Sequence, residues 1–312
     1  MIVIELGNGY EYKIITELKG SASKCFRIPK SIILDDEMDI RRVAVYLYLW
    51  LVIGRWDDVC RFNLPSLIEW CGNKPERGIK GVNGKFINTL DELSDRGYLT
   101  YLNESLDIKY IECELDTNCC YHDCQKNGFA TIYLDEIEMI MNYKKENSKD
   151  SSLTNPIILL VFAYLRYMIW RRPNELKTIN GERNIDGSNN EEADIKKRKL
   201  EHPDAYNDSF IEIANRIGIS DKTLLRAVDI LEQLELIVTD RAYRVKNDDG
   251  KYYTPNTIFA NAYKREIHKE DGKCYLLASG DEYCRTEIEN KARKLNNEYG
   301  GNYKIDKNKR RK

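Results

Sequence analysis

The amino-acid sequence predicts an α+β protein that is rich in helices and contains two similar modules. Residues 207–236 contain two stretches with helical spacing of apolar residues around a tight turn, and residues 237–261 then alternate as two strands around a turn at 247–250. Residues 64–113 repeat this order of helix, helix and hairpin. A chain of 312 residues is long enough for about two domains that each bury a core.

Strand and helix signals alternate before the first module. Residues 2–14 alternate around the Gly-Asn-Gly at 7–9, which predicts a hairpin. Residues 26–34, with the sequence FRIPKSIIL, are expected to be extended because Pro29 opposes a continuous helix. Residues 39–53 form a long apolar stretch, which predicts a helix that is buried over most of its circumference.

The first module then comprises two more helices and a hairpin. Residues 64–72 predict a short helix, and residues 72–84 are typical of a glycine-rich, basic loop. Residues 85–97 have the apolar spacing of a helix, and residues 98–113 that of two strands around a turn. Residues 129–142 are expected to join the two halves of the chain as a strand and a short helix.

The second module opens with a long apolar helix from Asn155, in which Pro156 occupies the first turn, where its missing N–H costs nothing. Gly218 follows a helical stretch where a C-terminal turn needs a positive φ, and Ser220 has the hydroxyl preferred at an N-cap. The residues expected on the buried sides of the two helices around this turn are Phe210, Ile211, Ile213, Ala214, Ile217, Leu224, Leu225, Val228, Leu231 and Leu234.

Helix, turn, helix and hairpin is the order of elements in a winged helix. The pattern at 207–261 resembles the helix-turn-helix of winged-helix DNA-binding proteins, in which the second helix enters the major groove and the hairpin lies on the phosphate backbone. Because the order occurs twice, the sequence predicts two winged helix-turn-helix domains in tandem. The competing interpretation is a winged helix that only holds proteins together.

A second resemblance concerns the N-terminal part. The proline-containing segment FRIPKSIIL, the acidic pair Asp35-Asp36 and the helix VAVYLYLWL resemble the start of the N-terminal domain of winged-helix replication initiators of plasmids and phages. That family binds repeated DNA sites at a replication origin, and some members dimerise through this domain. The chain departs from the family in its long loop at 72–84, where the family has a short turn.

The resemblance implies which residues face double-stranded DNA. The third helix of each module would lie in the major groove, and the second hairpin would lie along phosphates. In the first module the expected DNA-facing residues are Lys80, Lys85 and Asn88. In the third helix of the second module they are Ser220, Lys222, Thr223 and Arg226. In the second wing they are Arg241, Arg244, Lys246 and Lys251.

The composition also predicts domain boundaries. We expect a first domain at 1–143 and a linker at 144–152. The second domain, at 153–263, is expected to contain a flexible insertion at about 174–206, where both charge signs are frequent and large apolar residues are scarce. Residues 264–312 are expected to form a helical extension that ends in a basic, disordered tail.

Nine cysteines without a secretory signal predict reduced thiols in a cytoplasmic protein. In the densest group, Cys113, Cys119, Cys120 and Cys124 are weak candidates for zinc ligands. Their spacing fits no pair of ligand knuckles, and adjacent side chains seldom reach one tetrahedron. A loop with ordinary thiols is therefore the prediction, with no bound metal.

Composition and motifs argue against several functions. Apolar residues make up 42% of the chain and charged residues 32%, which are globular values, and no apolar run is long enough to span a membrane. The GVNGK at 81–85 has too few residues between its glycines for a phosphate-binding Walker loop. Only three histidines occur and no motif pairs a nucleophile with a base, so we expect neither an enzyme nor a cofactor.

Two function hypotheses remain. The first is a sequence-specific DNA-binding protein that acts in replication or transcription, as a homodimer or with a protein partner. The second is a protein–protein adaptor, of the loader or primosome kind, that uses winged helices as docking surfaces. The net charge of −2 and the outward acids Asp221, Asp229 and Glu232 favour the adaptor, whereas clusters of lysine and arginine favour DNA.

Overall fold

The computed structural model describes residues 3–6, 10–18, 24–103, 107–143, 153–170, 205–240, 244–246, 248, 252–253, 257–267, 274–278, 292, 296–297 and 304–306. Its helices are α1 (Lys30–Leu34), α2 (Arg42–Val52), α3 (Leu64–Trp70), α4 (Gly81–Asp95), α5 (Thr117–Asn127), α6 (Leu134–Met141), α7 (Asn155–Trp170), α8 (Phe210–Ile217) and α9 (Asp221–Gln233). Its strands are β1 (Val3–Leu6), β2 (Tyr10–Leu18), β3 (Cys25–Pro29), β4 (Val59–Phe62), β5 (Leu99–Tyr101), β6 (Ile111–Leu115), β7 (Phe129–Tyr133), β8 (Ala205–Asp208), β9 (Ile237–Asp240), β10 (Arg244–Lys246), β11 (Tyr252–Tyr253), β12 (Thr257–Asn261), β13 (Tyr263–Ile267), β14 (Cys274–Ala278) and β15 (Lys304–Asp306).

The predicted α+β class is confirmed. Helices alternate with small sheets of two to four strands, and all strand pairings among the described residues are antiparallel. Some of these pairs are hairpins joined by short turns, and others join segments that are distant in sequence. None of the helices within the described residues combines the length and the apolar content that a bilayer span requires.

The chain divides into two compact units. One unit comprises residues 1–20, 168–210 and 235–312, and the other comprises residues 21–167 and 211–234. Each unit therefore draws on segments that are distant in sequence. The predicted linker at 144–152 lies outside the described residues, as does the predicted insertion up to its last two residues, which begin strand β8.

The N-terminal hairpin is confirmed, but its assignment to a first domain at 1–143 is wrong. Strand β1 pairs with β2 from Val3↔Lys13 to Leu6↔Tyr10, around the predicted turn. Strand β2 also pairs with β14, which gives a four-stranded sheet in the order β1-β2-β14-β13. The hairpin thus completes a sheet with strands from the C-terminal region, because a two-stranded hairpin is only marginally stable alone.

The same sheet corrects part of the C-terminal prediction. The helical extension expected at 264–312 begins with strands, because β13 and β14 pair from Tyr263↔Ala278 to Ile267↔Cys274, whereas Ala292, Asn296 and Asn297 are helical. Strand β15, inside the predicted basic tail, pairs with β10 through Arg244↔Asp306 and Lys246↔Lys304. Strand pairing thus replaces helix at 263–267 and 274–278, while the described residues of the stretch with helical spacing are helical.

The unit of residues 21–167 and 211–234 contains the first predicted module and also the helices α8 and α9. The elements of this module follow in the order α2, β4, α3, α4, β5 and β6, and its sheet has the strand order β4-β6-β5. The first strand after α2 therefore pairs with the last strand of the hairpin, with Cys60 opposite Cys113, while Leu99 pairs with Leu115 on the other side of β6. Helix α2 is buried along residues 42–49, as its continuous apolar sequence predicted.

The second predicted module repeats that order. Its elements follow as α7, β8, α8, α9, β9 and β12, and its sheet has the strand order β8-β12-β9. The hairpin keeps one register from Ile237↔Asn261 to Lys246↔Tyr252, so β9 and β10 form one arm and β11 and β12 the other. The described strands therefore pair as the predicted hairpin, whose turn lies outside the described residues except for Asp248.

Residues 26–34 are only partly extended. Strand β3 ends at Pro29, and the next five residues form the short helix α1 with Pro29 at its N-cap position. A proline at this position removes no helical hydrogen bond, so it ends the strand without opposing the helix that follows. The fully buried Arg42 then contacts the C-terminal end of α1, donating from Nε to the carbonyl of Ile32 (2.6 Å) and from Nη2 to that of Ile33 (3.0 Å).

A buried ion pair joins α6 to α7. Nη2 of Arg166 donates to Oε1 of Glu136 over 2.6 Å, and both side chains are less than one-tenth exposed. The other carboxylate oxygen of Glu136 accepts from the backbone N–H of Tyr133 (2.9 Å), which completes a capping box at the start of α6. The Arg166 guanidinium also lies over the ring of Phe162, at 4.8 Å from its centroid.

Candidate nucleic-acid interface

Helices α3 and α4 meet at a turn of ten residues, 71–80. The side chain of Asn63 caps the start of α3 by accepting from the N–H of Ser66 (2.8 Å). The predicted loop at 72–84 is too long, because α4 begins at Gly81 and not at Lys85. The Gly-Val-Asn-Gly that had the composition of a loop is therefore the first turn of the helix.

The buried Asn83 explains why this glycine-rich stretch is helical. Its Nδ2 donates to the carbonyls of Glu76 (2.8 Å) and Gly78 (2.6 Å), and its Oδ1 accepts from the N–H of Glu76 (3.0 Å). The Glu76 carboxylate in turn accepts from the N–H of Val82 (3.3 Å), one of the free N–H groups of the first helical turn. Gly81 has φ +62°, and a Cβ there would overlap this carboxylate.

Substitution of Asn83 tests this arrangement. We expect Asn83→Ala to lower the free energy of unfolding by about 2–3 kcal/mol, because it removes three hydrogen bonds and leaves backbone groups of the turn unpaired. Urea denaturation followed by circular dichroism measures the change. The matched control is Asn88→Ala, in the same helix but exposed, which should change the stability by no more than about 0.5 kcal/mol. Equal effects of the two variants would contradict this role of Asn83.

Helix α4 separates an apolar side from a polar side. Phe86, Ile87, Leu90 and Leu93 are buried, as the spacing predicted. Lys80 at the N-cap position, Lys85 and Asn88 are exposed, which places the three predicted residues at the N-terminal half of the helix.

The C-terminal half of the exposed face of α4 has a different character. Asp91 and Asp95 are exposed there, and Asp91 accepts from the Tyr101 hydroxyl (2.9 Å). A carboxylate near a phosphate backbone is repulsive. Only the first half of this face is therefore suited to a polyanion.

Helix α9 follows a short turn, as predicted. Gly218 adopts φ +74°, and the Ser220 hydroxyl accepts from the N–H of Thr223 (3.1 Å) as the N-cap. Lys222 and Arg226 are exposed, four residues apart and therefore on the same side of the helix, whereas Thr223 is half-buried.

Two apolar residues of this helix pair are exposed against the prediction, and Phe210 and Leu234 are half-buried. Ile211 in α8 is 62% exposed and Leu225 in α9 is 39% exposed, although both were expected to be buried. Ala227 is buried in α9 and Ile230 is half-buried. The buried side of the helices is therefore rotated slightly relative to the side that the large apolar residues predicted.

The predicted wing contacts are only partly described. Arg244 and Lys246 lie two residues apart on β10, next to the hairpin tip, while Arg241 and Lys251 lie outside the described residues. Strand β10 has β11 on one side and β15 on the other, so this part of the hairpin is the centre of a three-stranded sheet. The sequence carried no signal for β15 as its neighbour.

The cysteine-rich segment is a helix and not the predicted loop. Cys119, Cys120 and Cys124 belong to α5, whose N-cap Asp116 accepts from the N–H of Cys119 (2.7 Å). Burial raises the pKa of the Cys120 and Cys124 thiols to about 12, which leaves both protonated at neutral pH. Cys113 lies apart from them on β6. Within the described ranges, no cluster of three or more His, Cys, Asp or Glu is placed to hold a metal ion.

Comparison with known proteins adds no assignment. Searches of family models, curated proteins and solved structures found no match to this chain. The functional interpretation therefore depends on the geometry of the two helix pairs α3–α4 and α8–α9 and on the residues that they expose.

Proposed function

We propose that this chain is a sequence-specific double-stranded DNA-binding protein with two winged helix-turn-helix modules in tandem. We further propose that it acts as a replication initiator-like or regulatory protein of a plasmid, phage or other mobile element. The observation that carries the proposal is the surface of α4, which exposes Lys80, Lys85 and Asn88 at its N-terminal half and buries its opposite side. In helix-turn-helix proteins this half of the second helix contacts base edges.

The repeated topology supports the winged-helix interpretation. In both segments a helix, a strand, two helices and a hairpin follow one another, and the last strand lies at the centre of a three-stranded sheet. The hairpins after α4 and α9 are in the position of a wing. Two segments of unrelated sequence with this same order favour two copies of one architecture.

The distribution of charge favours the first module as the main DNA contact. The turn and α4 (71–95) contain four cations, all within 71–85, and four carboxylates, of which three lie after residue 90, whereas the turn and α9 (218–233) contain two cations and three carboxylates. Phosphate contacts provide much of the affinity for DNA and come chiefly from lysine and arginine. We therefore assign the stronger phosphate contacts to the turn and first half of α4, and expect α9 to contribute chiefly through Lys222 and Arg226.

The test is selection of duplexes from a random pool at moderate salt, followed by sequencing. We expect enrichment of a repeated or palindromic motif. Arg226→Ala and Lys222→Ala should relax the base preference at the positions that α9 contacts. Lys85→Ala and Asn88→Ala should relax it at the positions that α4 contacts. Each lost base contact should reduce the binding free energy by about 1–3 kcal/mol. The matched control is Lys126→Ala, an exposed lysine on α5, which should leave the motif unchanged.

Salt dependence provides a second measurement on the same protein. The logarithm of the binding constant should fall linearly with the logarithm of salt concentration, with a slope of about −0.9 for each phosphate contacted. Lys80→Ala should make the slope shallower by about one contact, whereas Lys126→Ala should not. Absence of any enriched motif, together with weak binding that depends only on salt, would contradict the proposal.

One observation favours the adaptor as a second candidate. Trp56 is 88% exposed on a turn that is held by a hydrogen bond from the N–H of Gly54 to the carbonyl of Val59 (2.8 Å) and by the ion pair of Arg61 with Asp57 (2.8 Å). Tryptophan is enriched at the centres of protein interfaces. If no duplex is enriched and the protein self-associates in a manner that Trp56→Ala abolishes, the adaptor is the better assignment.

A further inference from the structure

The turn between α3 and α4 exposes an apolar side chain that the predicted DNA contacts did not include. Ile79 is 63% exposed and directly precedes the N-cap residue Lys80. Arg77, Gly78 and Lys80 are exposed beside it. The short turn before α9 differs, because its Ile219 is half-buried. The exposed isoleucine is thus a feature of the first module.

The backbone on both sides of Ile79 is held in place. The carbonyl of Gly78 accepts from the buried Asn83 side chain (2.6 Å), and the carbonyl of Lys80 accepts from the N–H of Gly84 (3.4 Å). The carbonyl of Ile79 itself lies so close to α4 that a Cβ on Gly84 would be 2.8 Å from it. The turn therefore presents the Ile79 side chain in a defined place at the start of α4.

The surroundings of Ile79 restrict the ligand that suits it. Arg77, Lys80 and Lys85 are exposed close to it in the sequence, with Glu76 as the one exposed carboxylate among them, so the segment carries a positive charge that suits a polyanion. The apolar group that duplex DNA offers in the major groove is the 5-methyl group of thymine. We propose that Ile79 packs against a thymine methyl group and makes the first module selective for a T·A pair at one position. This inference rests on the proposed function, because it requires that α4 lie in the major groove.

The experiment combines a change in the protein with a change in the DNA. In the best duplex from the selection, each thymine is replaced in turn by deoxyuridine, which lacks only the methyl group. We expect the wild-type protein to lose about fourfold in affinity at one position, the value for burial of one methylene-sized group. Ile79→Ala should bind the thymine and deoxyuridine duplexes with equal affinity at that position. Ile79→Val, which keeps a branched side chain, should retain part of the discrimination.

Three results would overturn the inference, and they separate it from the proposed function. If the wild-type protein discriminates at a position and Ile79→Ala keeps the same ratio there, another residue contacts the methyl group. If the wild-type protein selects a motif but no deoxyuridine replacement weakens binding, DNA binding stands and the methyl contact fails. If no duplex is selected at all, the proposed function fails and the inference fails with it. Unchanged circular dichroism of Ile79→Ala shows that the exposed substitution leaves the fold intact.

Discussion

Arg42→Ala is expected to lower the free energy of unfolding by about 3–5 kcal/mol, because it removes a buried hydrogen-bond network and leaves several buried carbonyls unpaired. The Arg42 side chain is fully buried at the start of α2, and its guanidinium also donates from Nη1 to the carbonyls of Met38 and Asp39, at 3.2 Å each. Burial lowers the pKa of this guanidinium to about 10, so it still carries its charge at neutral pH. Its removal leaves the last carbonyls of α1 without their donor.

A second arginine, Arg61, serves as a control that separates the effect of burial on stability from the effect of ion pairing. Arg61 makes ion pairs with Asp57 and Glu112, but its side chain is 47% exposed. Arg61→Ala should therefore cost no more than about 1 kcal/mol, despite the two carboxylates. Arg42→Lys should lose most of the stability that Arg42→Ala loses, because an ammonium group cannot reach the carbonyls that the guanidinium fork spans. Urea denaturation curves measure all three variants, and equal losses for Arg42→Ala and Arg61→Ala would refute the argument.

Glu136→Ala is expected to have an effect of similar size, about 3–5 kcal/mol, because it leaves the Arg166 charge buried without its partner. The variant also removes the acceptor for the Tyr133 N–H and with it the capping box of α6. Glu138→Ala is the matched control, since Glu138 is exposed on the same helix and its removal should cost no more than about 0.5 kcal/mol.

The double variant Glu136→Leu/Arg166→Met tests why Glu136→Ala loses stability. If the loss in Glu136→Ala arises from an unpaired buried charge, removal of both charges should recover stability relative to that single variant. A double variant that is less stable than Glu136→Ala would show that the pair is needed for packing and not for charge balance. Thermal denaturation of the wild-type protein, Glu136→Ala and the double variant gives the comparison.

Local signals predicted several elements correctly. The strands on either side of the predicted turn at 247–250 pair with each other, and Gly218 and Ser220 mark the turn between α8 and α9. Residues 129–142 form the strand β7 and helix α6, as expected. These predictions depended on backbone preferences that act within a few residues. Such preferences can be read directly from the local sequence.

The sequence predicted which residues the candidate site exposes, but not where α4 begins or how the turn before it is held. Lys85 and Asn88 were assigned to the exposed face of α4, and both are exposed. The start of that helix was misplaced, because two glycines argued for a loop and the side chain of Asn83 decided otherwise by holding the turn. Ile79 was missed for the same reason, since its exposure depends on a turn whose hydrogen bonds join residues up to seven apart.

By itself, the sequence determined the α+β fold class and the repeated order of helices and hairpin. It also determined the turn between α8 and α9, because glycine and capping residues act on their own neighbours. Only the tertiary structure decided that β2 pairs with β14 and β10 with β15. It also decided that the cysteine-rich stretch is helical and that Ile211 and Leu225 are exposed. The physical reason is that strand pairing and burial depend on contacts between segments far apart in the chain. Many interactions stabilise these contacts together, so no single stretch of sequence predicts them.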